Sequence, residues 1–248
     1  MNIRYVSTLH CCHRNVYIYP AVNMEHLLNY LLHLPLWAVW SIFLSENIMI
    51  TFAVLLIGKY FYKGEYTAGE WGICAVTNVL NTVVTYAGFW MWKHHIIHIT
   101  TDISWKIIPD FLSLFMAMDL LMFVFHITIH KTFLYKAVHR LHHGSVDPKP
   151  IDLFVLHPIE AIGFGGLWLL LLVVYPFNMY AILMYLTINV VFGLAGHLGV
   201  EPLPAKMRSL PMIKYLGTST FHHNHHQDIQ YNFGFYTSIW DRLFRTYK

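Results

Sequence analysis

Residues 161–200 read AIGFGGLWLLLLVVYPFNMYAILMYLTINVVFGLAGHLGV, forty consecutive positions without Asp, Glu, Lys or Arg. A helix needs about 20 mostly apolar residues to cross a bilayer, so this run holds two. Pro176-Phe177-Asn178 interrupts it near its middle with turn-forming residues. The stretch reads as a membrane hairpin of two helices, 160–175 and 179–197. Both ends of a hairpin emerge on one side, which places His157 and His197 together.

Two more spans flank it upstream. Residues 71–92 carry no charged side chain, and 107–129 carry only Asp110 and Asp119. Region 27–58 is apolar but includes His33, Pro35 and Glu46. It reads as one span within 37–60 preceded by an interfacial helix, with two short re-entrant segments as the alternative. The fold class expected is all-α: a polytopic membrane helical bundle with a cytoplasmic histidine-rich metal site. The domains expected are an N-terminal interfacial segment, 1–36, and one membrane-embedded domain, 37–248.

The 107–129 helix brings His126 and His130 to the side of His157 and His197, and loop 93–105 falls on the opposite face. The histidine side carries Lys131, Lys136, Arg140, Lys149, Lys206, Arg208, Lys214, Arg242, Arg245 and Lys248, whereas the other loop offers Lys93 and Lys106. Basic residues mark the cytoplasmic side. Trp71, Trp90, Trp92 and Trp105 fall at predicted helix ends, where indoles suit the interface.

Composition agrees with burial in lipid. Of 248 residues, 56% are hydrophobic and 12% are charged, about half the charge usual for a soluble domain. The net charge of +3 comes with no basic run and no nucleic-acid motif, so nucleic acid is not an expected partner. The N-terminus does not read as a signal peptide, because its first apolar stretch holds His10, His13 and Arg14. Cys11, Cys12 and Cys74 form neither a disulfide framework nor a CxxC motif. A metal here is expected on imidazole, with oxygen donors as the other option.

The chain holds 18 histidines, and near lipid each needs a partner. Three clusters stand out: His126-Ile-Thr-Ile-His130, His139-Arg-Leu-His142-His143 and His222-His223-Asn224-His225-His226. Spacings of three and four share a helix face, so each box is expected to aim two or three imidazoles at one point. His157 and His197 are additional candidates. One metal with open positions cannot use so many ligands, whereas two can. Iron and zinc both accept imidazole, but only iron changes oxidation state.

His223 falls off the shared face of the third box and reads as a supporting residue. Asp119, two turns before His126, is a candidate to orient a ligand imidazole, with a bond to a neighbouring helix as the alternative. Glu160 and Glu201 raise the same question beside His157 and His197. His94-His95-Ile-Ile-His98 has box-like spacing but lies in the opposite loop and reads as interfacial. His10, His13, His26 and His33 follow no pattern. Phe221, Phe233, Phe235 and Tyr236 flank the third box and are candidates to line a lipid cavity, with simple packing as the alternative.

Together these pieces resemble the fatty acid hydroxylase and sterol desaturase superfamily over about residues 115–246. The resemblance rests on Asp119 with the first box, on Tyr135 through HRLHH, and on His157-Pro158-Ile159-Glu160. It continues through Gly196-His197-Leu198-Gly199-Val200-Glu201, HHNHH, Asn232-Phe233-Gly234 and Trp240-Asp241-Arg242-Leu243-Phe244. It implies two non-haem iron ions, O2 as co-substrate and a lipid substrate. It also implies an external electron-transfer protein with its reductase. His126, His130, His139, His142, His143, His197, His222, His225 and His226 match ligand positions, and His157 matches a motif less directly tied to ligation. Two departures stand out: Arg245 precedes Thr246 where many relatives have Gly, and Glu201 stands where some have His.

The rival reading is a histidine-rich membrane metal-binding or transport protein without oxidase activity. That would spread ligands along the spans with acidic partners. A bis-histidine haem protein would leave the paired HH steps unexplained. A zinc hydrolase would leave most of the boxes unused.

Overall fold

A computed structural model describes residues 24–248. The readings of the N-terminus, including His10, His13, Cys11 and Cys12, fall outside the described residues. The chain divides after His33. The first unit contributes α1 (Met24–His33).

The second unit is helical, with only two isolated β-bridges among the described residues. Its long helices are α2 (Leu36–Phe61), α3 (Ala68–Lys93), α4 (Ile107–Lys131), α5 (Pro158–Val174) and α6 (Met179–Gly196). Local chemistry sets their starts. Pro35 precedes α2, and Pro158 opens α5 at the one turn where a missing N–H costs nothing. Thr67 and Glu70 form a reciprocal capping box on α3, and the Asn178 side chain accepts the Tyr180 amide at 2.9 Å to start α6.

Four of these helices, α2, α3, α4 and α6, are long and apolar enough to cross a membrane. The fifth expected span, α5, has 17 residues and measures about 25 Å. It is joined to α6 by the turn 175–178 as expected, but the two helices pack on α4 and not chiefly on each other. Region 27–61 resolves into α1 and one long α2, not into re-entrant segments.

Helix α3 packs on α2 and α5, and α4 packs on α5 and α6. Between α4, α5 and α6 lies a core that includes Leu114, Met118, Met122, Leu172, Ile182 and Tyr185. Polar contacts join α2 to α3: the Thr51 hydroxyl donates to Asn78 Oδ1 at 2.9 Å. Inside a bilayer such groups must find protein partners. Large apolar side chains such as Met49, Phe52 and Leu56 face outward, the pattern of a surface solvated by lipid.

The end of the bundle away from the boxes is tied by backbone. Thr100 donates to the Phe177 carbonyl at 3.2 Å and accepts from Met179 at 2.8 Å. Asp110 accepts the Asn178 amide at 2.9 Å, and Asn178 Nδ2 donates to the Asp102 carbonyl at 2.7 Å. Loop 94–106, with His94, His95 and His98, therefore sits against the α5–α6 turn. Helix α4 runs from there to the histidine end, about 35 Å along its axis.

Candidate metal centre

Five elements meet at the other end. The last two turns of α4 carry His126 and His130. A π-turn over Tyr135–His139, closed by the Arg140 amide on the Tyr135 carbonyl at 2.8 Å, presents His139. Such widened turns recur at functional sites. A 3₁₀ turn, His142–Gly144, follows it directly. His197 caps the end of α6. Helix α8 (Ser219–Gln227) brings the third box across the top, after the short α7 (Ala205–Arg208). Helix α9 (Ile239–Phe244) closes the described chain. Gly196 lets α8 approach α6, since a Cβ there would press on the His222 ring at 3.2 Å.

Nine histidines form two groups. His126, His130, His139, His143 and His225 form one, and His142, His197, His222 and His226 the other. Within each group the available ligand atoms lie within 4.8 Å of one another. The expectation that each box serves one point is corrected here. Box two sends His139 and His143 to the first group and His142 to the second, while box three sends His222 and His226 to the second and His225 to the first. Positions i and i+4 stay together, and position i+3 turns about 60° aside toward the other group.

The hydrogen bonds fix which nitrogen faces inward. Nδ1 donates to a backbone carbonyl in four rings: His126 to Phe233 (2.8 Å), His197 to Gly193 (2.7 Å), His225 to Tyr231 (2.7 Å) and His226 to Ser145 (2.8 Å). His139 Nδ1 lies 2.6 Å from Glu160 Oε1, and both side chains are buried. Carbonyl or carboxylate partners of this kind set the tautomer of metal-binding histidines and raise their basicity.

Burial drives the imidazoles to the neutral form. It pushes His197 down to about 4, His226 to about 3 and His139 to about 2, with neighbouring rings lowering the last two further. His142, His143, His222 and His225 are lowered by burial first and by adjacent imidazoles second.

A neutral imidazole has one N–H and one lone pair. His126 commits Nδ1 to the Phe233 carbonyl, so its Nε2 is bare, and the Nε2 atoms of His139 and His130 converge on it at 3.0 and 3.1 Å. In the second group His222 Nε2 lies 3.3 Å from His197 Nε2 and 3.1 Å from His226 Nε2, both bare by the same argument. One proton on His222 can satisfy only one of them. His225 Nε2 is buried with no partner at all. Converging lone pairs without protons repel unless a cation lies among them, so the donor set fits a metal in each group. Imidazole alone suits iron, zinc or copper.

The supporting residues divide. Glu160 stands behind His139. Asp119 touches no histidine: it accepts the Tyr236 and Thr237 amides at 3.1 Å and the Trp240 indole at 2.9 Å, tying the C-terminal segment to α4. Glu201 accepts the Leu203 and Thr220 amides at 3.1 and 3.0 Å and so holds the first turn of α8. Burial alone would raise its carboxyl, but these amides hold it below the usual range. His223 turns away to Asp147 at 3.0 Å. His157 joins neither group; its ring caps α5 by accepting the Ile159 amide.

Of the aromatics, Phe233 is fully buried, with its ring centroid 5.2 Å from that of His130. Tyr236 stacks on Phe115 at 4.9 Å and bonds Tyr185 and Asn189. Phe235 packs on Tyr236, and Phe221 stacks on Tyr247. Sequence reasoning missed Asp241, whose carboxylate accepts the Phe233 and Gly234 amides at 2.8 and 2.7 Å. It fixes the loop whose carbonyl holds His126. Its place in the Trp240–Phe244 motif was the available signal.

The fatty acid hydroxylase family model matches residues 111–246, more than half of the chain. The chain belongs to this family. It is 28% identical over 135 residues to lathosterol oxidase of Mus musculus, covering 52% of this chain and 42% of that protein. It is 26% identical to Delta(7)-sterol 5(6)-desaturase of Leptosphaeria maculans, covering 52% and 34%. It is 29% identical to very-long-chain aldehyde decarbonylase GL1-7 of Oryza sativa subsp. japonica, covering 52% and 21%. The matches span less than half the length of these relatives. No solved structure matches. With its four apolar helices and relatives of this kind, the fatty acid hydroxylase family member is an integral membrane protein.

Proposed function

We propose that this chain is an oxygen-dependent lipid oxidase whose two histidine groups hold two iron ions. His126, His130, His139, His143 and His225 hold one, and His142, His197, His222 and His226 hold the other. The observation that carries the reading is the pair of adjoining imidazole groups with bare Nε2 atoms aimed inward. Bound iron supplies what no side chain here offers: activation of O2 and acceptance of electrons, so that a C–H bond becomes an alcohol or an alkene.

The residues themselves keep the imidazoles neutral, fix their tautomers and exclude water by burial. The substrate is a fatty acyl or sterol-like lipid. Apolar helices beneath the site support this, as do the names of the relatives. Electrons come from an external carrier and its reductase. The basic residues on the histidine end support a cytoplasmic site. Ligands gathered at one end, not strung through the spans, disfavour metal transport.

Metal analysis of detergent-purified protein from iron-rich medium tests the reading. About two irons per chain, lost in a His142→Ala/His225→Ala variant that removes one imidazole from each group, supports it. Haem, or full occupancy in the variant, overturns it.

A further inference from the structure

Behind α8 lies a cleft of about 170 Å³ that the proposed chemistry does not use. Arg208, Lys214, Arg242 and Lys248 border it, and Thr218 and Asn224 present polar side chains to it. Four cations around so small a space repel one another. Of these four, only Lys248 has a carboxylate within reach among the described residues, Asp228 at 2.7 Å. Lys214 has no acidic partner and rests its ammonium over the Tyr215 ring, 5.0 Å from the centroid. Arg242 spends its donors on Ser238 Oγ and the Lys214 carbonyl. The Nε of half-buried Arg208 is shielded from solvent and has no hydrogen-bond partner. A buried guanidinium donor without an acceptor is costly, and an anion in the cleft would remove that cost.

We infer that this cleft binds a phosphate-bearing anion, either the headgroup of an acidic lipid or free phosphate. A tetrahedral phosphate can take donors from Arg208, Lys214, Lys248 and the Thr218 and Asn224 side chains together, as a singly bonded acceptor could not. The cleft shares its end of the bundle with the histidine groups, the end where headgroups of a surrounding bilayer lie. Thr220, Phe221 and Asn224 reach it from the outer face of α8, while His222, His225 and His226 leave from the inner face. A bound phosphate would brace α8 from behind. This inference does not depend on which metal the groups hold.

The test uses the full chain in a neutral detergent at fixed ionic strength. Inorganic phosphate, and separately short-chain phosphatidic acid, are titrated while the thermal midpoint is followed, with chloride and phosphatidylcholine as controls. A saturable rise with phosphate and phosphatidic acid assigns the phosphate group itself, and a rise with phosphatidic acid alone assigns the lipid headgroup. In Arg208→Gln/Lys214→Gln the apparent Kd should weaken by about tenfold or more. Lys206→Gln, a neighbouring cation that does not border the cleft, should leave it unchanged. Single Arg208→Gln and Lys214→Gln variants keep the test readable if the double variant misfolds. No response in the native chain, an equal response to chloride, or equal responses in native and variant chains overturns the inference.

Discussion

The rings of His143 and His226 lie face to face, centroids 4.4 Å apart and planes inclined by 26°, yet each belongs to a different group. His142 and His143, adjacent in sequence, also part company, as do His225 and His226. The HH step is thus the point at which one short turn serves two groups.

Single substitutions at one HH step should therefore be distinguishable. His142→Ala should deplete the second group and His143→Ala the first, each leaving about one metal per chain, while the double variant loses both. Elemental analysis of the three purified variants measures this; identical loss in both singles would contradict the division.

Among the described residues, Glu160 is the one carboxylate that faces Nδ1 of a histidine of either group. Glu160→Gln should weaken metal retention in the first group by about 10- to 100-fold and leave the second near its native affinity. Competition with a chelator, followed as biphasic metal release, reads both at once.

Acid should destabilise the metal-free protein. The folded-state values of His197, about 4, and His226, about 3, lie below the ordinary 6.5, so the unfolded chain takes up protons first as pH falls. Above 6.5 neither state is protonated and these groups cost nothing. Below it, stability should fall by up to about 1.4 kcal/mol per pH unit for each histidine, until the folded value is reached. Denaturation of chelator-treated protein between pH 7 and pH 4 follows the loss. Bound metal should hold stability flat further down, because protons must then displace it.

Removing Asp119 should act on the fold first. Asp119→Ala leaves the Tyr236 and Thr237 amides and the Trp240 indole without acceptors, at about 1–3 kcal/mol for each buried donor. A large drop in thermal midpoint is expected, with metal loss only as its consequence.

Arg245 adopts a left-handed backbone at φ 61° just after α9. Glycine takes that conformation without the Cβ penalty, which accounts for the Gly expected there from the family resemblance. Arg245→Gly should stabilise by up to about 1 kcal/mol. Chemical denaturation of the solubilised protein measures the difference.

Much of this was legible from residue order. Long apolar runs with few or no charges mark α3, α4 and the α5–α6 pair because lipid tolerates little else, and box spacing marks imidazoles that share a side. The exchange between boxes two and three was not legible. A spacing rule treats i, i+3 and i+4 as one face, and the 60° offset matters only when two centres stand side by side. Nor was the true role of Asp119, because helix periodicity places it under His126 while the segment that claims it returns more than a hundred residues later. The carbonyls of Ser145, Gly193, Tyr231 and Phe233 leave no mark in the sequence, since every residue carries one.

The exchanged boxes also impose an order on biosynthesis. Helices α2 to α6 leave the ribosome first, and with them come four imidazoles of the first group but only two of the second, His142 and His197. The second group is half built until Ser219–Gln227 has been translated and laid across the bundle. That single late docking event completes both groups, so a nascent chain passes most of its synthesis with neither histidine group whole.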